Sequence, residues 1–230
     1  MSTAHYSDLK DASVYITGGG SGIGAALTEG FVAQGARVAF IGRSDASAFC
    51  TELETKYGNR PLFIQGDITD TTTLKDSMAQ ASDANGPITT LINNAANDKR
   101  HSAEEVTPEF WDWMIEVNLK AYFFACQTVL PQMRQAGFGS IINFSSISYM
   151  MGNSGYPIYT ACNSAINGLS RSLAREFGHD KIRVNALAPG WVLTQKQKDL
   201  WVTEEGLATH VARQCLNETL EPEDILGGCL

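Results

Sequence analysis

The 230-residue chain has no excess of positive charge: 17 lysines and arginines stand against 25 aspartates and glutamates, a formal net charge of −8. Binding a polyphosphate backbone needs a basic face, so nucleic acid is not expected as a partner. Apolar runs long enough to span a bilayer are missing, and no membrane association is expected. Met1 to Asp11 lacks the basic and then apolar pattern of a secretion signal. Cysteine is scarce and odd in number. Cys50, Cys126, Cys162, Cys215 and Cys229 form no close pair of the kind that holds a metal. Free thiols in a reducing, cytoplasmic compartment are expected, with no metal site. Internal repeats, low-complexity tracts and linkers are also absent. Hydrophobic residues at 43% and charged residues at 18% are an ordinary globular composition, sufficient for one large domain.

Short apolar runs alternate with longer helical patterns. Strands are predicted at Ser13–Ile16, Arg37–Ile41, Leu62–Ile64, Ile88–Ile92, Ser140–Phe144 and Ile182–Ala186. Strands this short and apolar, each followed by a helix, predict an α/β fold: a Rossmann-type, doubly wound parallel sheet in a single domain spanning 1–230. Thr107 is a predicted N-cap with Pro108 at the first helical position, and one long helix is expected from there to about Ala136, ended by Gly137. The less regular stretch 191–217, after the sixth strand, is expected to be a lid over the carboxyl ends of the strands.

The first strand runs into Thr17-Gly18-Gly19-Gly20-Ser21-Gly22-Ile23-Gly24, which opens a predicted helix. Glycines let the backbone turn sharply and approach a pyrophosphate, while the helix N-terminus offers free N–H groups and a positive dipole end. The second strand ends Ile41-Gly42-Arg43. A carboxylate there would bind a ribose 2′-hydroxyl; glycine followed by arginine favours a 2′-phosphate instead, so NADP is expected over NAD.

Gly18, Gly22 and Gly24 in G-x-x-x-G-x-G spacing, with Asn93-Asn94-Ala95-Ala96 after the fourth strand, resemble the short-chain dehydrogenase/reductase family, which usually has glycine where Ala96 stands. Ordered motifs extend the resemblance over nearly the whole chain. It implies an NAD(P)-dependent oxidoreductase acting on a small-molecule substrate. It implies catalytic roles for Asn118, Ser146 and Tyr159. It implies cofactor contacts from Gly18, Ser21, Gly22, Ile23, Gly24, Arg43, Asp67, Ile68, Asn94, Ala95, Asn163, Pro189, Gly190, Val192 and Thr194. Chemically, hydride loss from an alcohol carbon leaves a proton that a tyrosinate can take, while a serine hydroxyl holds the oxyanion. The family's lysine, four residues after the tyrosine, is here Asn163, which is uncharged. A weakened or inactive nucleotide-binding homologue is therefore the alternative reading, together with a reductase of another small carbonyl.

Asn97-Asp98-Lys99-Arg100-His101, with Trp191, Thr194 and Gln197, resembles the aldose 1-dehydrogenase branch, which oxidises a sugar at C1 to a lactone. Asn97, Asp98, Arg100, Trp191 and Gln197 are the implied substrate-binding residues; hydroxyls suit the polar groups and a sugar ring face suits the tryptophan. The family usually continues past a segment like Glu221–Leu226 into a seventh strand. The sequence here stops at Leu230, so the sixth strand is expected at the sheet edge, unpaired or covered differently. A homo-oligomer, dimer or tetramer, is expected, with the helices starting at Thr107 and Tyr156 available for contact.

Overall fold

The computed structural model describes residues 4–230; Met1, Ser2 and Thr3, where the stretch examined for a secretion pattern begins, lie outside the described residues. Six strands form one fully parallel sheet: β1 (Ser13–Thr17), β2 (Arg37–Gly42), β3 (Leu62–Gln65), β4 (Thr90–Asn93), β5 (Gly139–Phe144) and β6 (Ile182–Leu187), in the order β3-β2-β1-β4-β5-β6. The strands stay parallel, but the side on which successive strands are added switches between β1 and β4, so the loops after these strands diverge and leave a crevice at their carboxyl ends. Ile16 is registered with both Phe40 and Ile92, which fixes which strand ends lie side by side.

Both sheet faces are buried, as parallel connection through helices requires. Along β1, Tyr15 points into one core and Val14 and Ile16 into the other, the alternation of a strand. The first core packs the sheet against α3 (Thr71–Asn85), α5 (Ala121–Ala136) and α7 (Pro157–Phe177) through Leu74, Met78, Val129 and Phe177. The second packs it against α1 (Gly22–Ala33) and α2 (Ser47–Tyr57) through Leu27, Phe31 and Leu53. Each fully buried aliphatic or aromatic side chain of this kind contributes roughly 1.5–3 kcal/mol of transfer free energy.

Three expectations need correction. The fourth strand starts at Thr90, not Ile88, because the Ile88 N–H donates to the Gln132 side chain at 2.8 Å rather than to a ladder. The long helix from Thr107 is capped as expected, with the Thr107 hydroxyl accepting from the Phe110 N–H. It is not uniform: α4 (Pro108–Ile115) passes through a π turn at Glu116–Lys120 before α5, which ends at left-handed Gly137. The region after β6 is more regular than expected, containing α8 (Gln195–Leu200) and α9 (Glu204–Val211). The short α6 (Ser148–Met151) follows β5.

Strand β6 is the sheet edge among the described residues. The final segment does not extend the sheet. A 3₁₀ segment at Pro222–Gly228 lies against α1, where Leu226 occupies the space a side chain at Gly30 would need. Cys229 and Leu230 join the second core. Just before it, Leu220 pairs with Val192, and its carbonyl accepts from the Leu193 N–H at 2.7 Å. No helix among the described residues is long and apolar enough to cross a membrane.

Candidate active site

The crevice between β1 and β4 is closed by a hydrogen-bonded seam. The Thr17 hydroxyl accepts from the N–H groups of Asn94 (3.0 Å) and Ala95 (3.1 Å), and the Asn94 amide donates to the Thr17 carbonyl at 3.1 Å. Gly18 and Gly22 have φ of +71° and +52°, the left-handed region that glycine enters without strain. A Cβ on Gly24 would overlap the Gly18 carbonyl oxygen, so only glycine lets α1 start this close to β1. Ser21 stands at the N-cap of α1 but makes no side-chain cap bond. The first-turn N–H groups thus face the crevice without a side-chain acceptor, a built-in place for a phosphate.

A cleft of about 480 Å³ opens over this loop. Of the expected cofactor residues, Gly18, Ser21, Gly22, Ile23, Gly24, Arg43, Asp67, Ile68, Asn94, Ala95 and Thr194 line it. These residues fit a dinucleotide: an open glycine cradle, an uncapped helix end and an elongated groove running to the ends of β2 and β3. Arg43 is exposed at the rim. The nearby Asp45 carboxylate accepts from both the N–H and hydroxyl of Ser47. Asp67 accepts from the N–H and hydroxyl of Thr69, which shapes the turn after β3. Gly190 and Val192 line a second cavity instead, and Pro189 lines neither.

That second cavity, about 600 Å³, is walled by Ser146, Tyr159, Asp98, Arg100, Trp191 and Gln197 among others. Asn97 is not among its walls. It lines the nucleotide cleft, and its side-chain oxygen accepts from the Lys99 N–H. Ile23, Asp98, Tyr159, Thr194 and Gln197 border both spaces. Tyr159 therefore stands at the junction of nucleotide and substrate volumes.

Asn118 is buried in the π turn. Its Oδ1 accepts from the Asn97 N–H at 2.8 Å, and its Nδ2 donates to the carbonyls of Asn97 (3.1 Å) and Met114 (2.9 Å). The extra residue of a π turn is what turns an asparagine toward another strand's loop here, a recurring use of such turns. Asn118 touches neither cavity; it holds the loop after β4. On the other side, the Asn93 amide donates to Asn143 (2.9 Å) and Asn143 donates to Ser170 (3.0 Å), tying β4, β5 and α7 together.

His101 holds the N-terminus of α7, the helix that carries Tyr159. Its Nε2 accepts from the Ile158 N–H at 3.3 Å, which places the ring proton on Nδ1, donating to the Lys99 carbonyl at 2.8 Å. Farther along α7, Asn163 is buried. Its amide donates to the Tyr159 carbonyl one turn back, at 2.8 Å, and its own carbonyl accepts from Ser145 and Asn167. The Tyr159 hydroxyl is held above its ordinary pKa, first by burial and then by the negative charge of Asp98; the polar side chains of Ser146 and Asn163 pull it the other way. Burial opposes the charge on Asp98, but the Lys196 ammonium and the Gln197 amide outweigh it and keep the carboxyl below its usual range. Asp98 accepts from Lys196 and from Gln197, each at 2.7 Å, and Gln197 accepts from the Trp191 indole at 2.9 Å. Through these bonds α8 is fastened across the mouth of both spaces.

Several cavity walls were not foreseen: Ser148, Asn153, Ser154, Tyr156, and, on and after α9, Gly206, Thr209, His210 and Arg213. The last four recur at helical spacing, the one local signal that pointed to a shared face. Ser148 carries no comparable signal.

A family model described as short chain dehydrogenase matches residues 12–205. The chain is 44% identical to the Rhizobium meliloti (strain 1021) protein named "Probable galactose dehydrogenase GalD", over all of this chain and 91% of that one. It is 42% identical to D-xylose 1-dehydrogenase of Caulobacter vibrioides, covering 98% of this chain and 89% of that one. Among solved structures, the 3-oxoacyl (acyl-carrier-protein) reductase of Agrobacterium tumefaciens C58 with NADP bound superimposes with a TM-score of 0.87 at 27% identity, over 96% of this chain and 86% of that one.

Proposed function

The chain belongs to the short-chain dehydrogenase family, and from that premise we propose that it oxidises an aldose at C1 to the lactone, with NADP preferred over NAD. It is an NAD(P)-dependent oxidoreductase, and its named relatives include sugar dehydrogenases. The observation that carries the proposal is Tyr159 at the junction of the two spaces, with Ser146 beside it in the wall of the larger one.

A dinucleotide bound in the glycine cradle supplies the hydride acceptor. Tyr159 takes the proton of the C1 hydroxyl as the C1–H bond breaks, and the Ser146 hydroxyl stabilises the charge that develops on that oxygen. Asn118 positions the loop from Asn97, and Asn163 braces α7 through the Ser145 contact. Gly18, Ser21, Gly22, Ile23 and Gly24 would cradle the pyrophosphate, and Arg43 would meet the 2′-phosphate. Asp67 and Ile68 would flank the adenine, and Asn94, Ala95 and Thr194 would flank the nicotinamide half. Asp98, Arg100, Trp191 and Gln197 face the sugar. Residues 191–217 act as the lid, fastened through Asp98.

Trp111 on α4 and Phe123 on α5, both large, apolar and exposed, support a homo-oligomer. Five free thiols support a cytoplasmic location. A second reading, a nucleotide-binding homologue with weakened catalysis, is favoured by one observation, the uncharged Asn163.

Pentoses and hexoses are expected to give higher kcat/KM than simple secondary alcohols in a turnover panel with NADP⁺ at alkaline pH. Cyclohexanol with NADP⁺, or an acyl ketone reduced with NADPH, outperforming every sugar would remove the aldose reading.

A further inference from the structure

The larger cavity has an imbalance in its hydrogen-bonding groups. Asp98 is the sole carboxylate among its lining residues, and both its oxygens are already engaged, one by Lys196 and the other by Gln197. Two guanidinium groups line the same space, Arg100 and Arg213, and neither has a carboxylate partner among the described residues. Arg100 lies against two rings, 4.0 Å from the centroid of Tyr156 and 5.2 Å from that of Trp201. Aromatic contact over the faces of a guanidinium leaves its in-plane N–H groups for an acceptor.

A neutral sugar hydroxyl brings a donor with each acceptor, so every one it offers needs an acceptor in the wall to be fully paired. The one carboxylate in this wall already accepts from an ammonium and an amide, one at each oxygen. An anionic oxygen group brings acceptors alone, and guanidinium binds such groups by paired, charge-assisted bonds. Two guanidinium groups without a carboxylate partner among the described residues make an acceptor-rich, anionic substituent the complement of this wall. Tyr159 and Ser146 line the same cavity, so a sugar with C1 at the tyrosine can place the substituent of another carbon at the arginines.

We infer that the substrate is an aldose carrying an anionic group, a carboxylate or a phosphate, on a carbon other than C1, held by Arg100 and Arg213. This rests on the aldose reading above and narrows it. Sugars with and without the charge are matched in configuration for the test: D-galactose, D-galacturonate and D-galactose 6-phosphate, and the same three of the gluco series. Each is measured for kcat/KM with saturating NADP⁺, and for binding by quenching of tryptophan fluorescence, which registers a ligand even when turnover is slow.

A charged sugar is expected to exceed its neutral parent by about tenfold or more, with an advantage that shrinks as salt is added. Whether the uronate or the phosphate leads identifies the group. Arg213 is exposed, so Arg213→Gln should fold normally, and it is expected to bring the charged-to-neutral ratio toward one. Neutral parents that match both charged sugars would overturn the inference and leave the aldose reading standing. So would a ratio unmoved by Arg213→Gln and by Arg100→Gln. If no sugar binds while a simple secondary alcohol is oxidised, the aldose reading itself fails and this inference with it.

Discussion

Asn163→Lys is expected to raise the rate of substrate oxidation at neutral pH by about ten- to a thousandfold and to shift the pH–rate profile toward lower pH. The reason lies in the charge around Tyr159. In the present chain burial and the Asp98 carboxylate both favour the neutral phenol, and no cation stands on the next turn of α7 to oppose them. The active form of the base is tyrosinate. Below its pKa that form falls tenfold for each unit of pH, so oxidation by this chain should be slow near neutrality and climb steeply into the alkaline range. An ammonium one helical turn away would lower that pKa by roughly one to three units, and each unit restores about tenfold of active base. The positive charge of an oxidised nicotinamide acts in the same sense, so the present chain is expected to retain measurable activity. The comparison is of pH–rate profiles for the two proteins at saturating cofactor. Superimposable profiles would show that tyrosinate formation is not what limits this site. Two inactive proteins that both bind cofactor would favour the nucleotide-binding reading.

Arg43→Ala is expected to weaken NADPH by about ten- to a hundredfold while NADH changes by less than about threefold. Hydrogen bonds to a charged group contribute about 1.5–3 kcal/mol, which corresponds to that range. The surroundings support a selective effect. Gly42 leaves open space at the end of β2, with Phe63 at 3.8 Å from where a side chain would begin. The nearby carboxylate, Asp45, is turned to the start of α2 through Ser47, so it does not neutralise the arginine. Fluorescence titration of both reduced cofactors decides the matter; equal losses would mean that Arg43 serves the cleft generally and reads no phosphate.

The parts of the molecule that were legible in the sequence are those governed by local chemistry. Strand β2 is legible as Arg37–Ile41 because both faces of a parallel strand are buried and, after the exposed Arg37, every residue from Val38 to Ile41 is apolar. The glycine loop is legible because Gly24 admits no Cβ where α1 meets β1. The Thr107–Pro108 helix start follows from capping alone. The missed features arise from contacts between distant segments. Ile88 looks like strand, but its N–H is taken by Gln132, 44 residues on. The π turn at Glu116–Lys120 has no signature in composition; it becomes intelligible through Asn118 and its bonds to Asn97. That Asn97 lines the nucleotide cleft while its neighbours Asp98 and Arg100 reach the larger cavity depends on its backbone bonds to Asn118, 21 residues on. The walls supplied by Ser148 and Arg213 come from opposite ends of the second half of the chain, and only folding brings them together.

Ile23, Asp98, Tyr159, Thr194 and Gln197 belong to the boundary of both spaces at once. The two ligands are thereby linked thermodynamically. Any free energy by which one occupant settles these residues is a free energy the other no longer has to supply, and linkage makes the benefit equal in both directions. A substitution at Thr194 or Gln197 consequently has no single-ligand phenotype: its effect on sugar affinity depends on whether nucleotide is present, and its effect on nucleotide affinity depends on sugar. Affinities measured for either ligand alone describe a different boundary from the one at which Tyr159 does its chemistry.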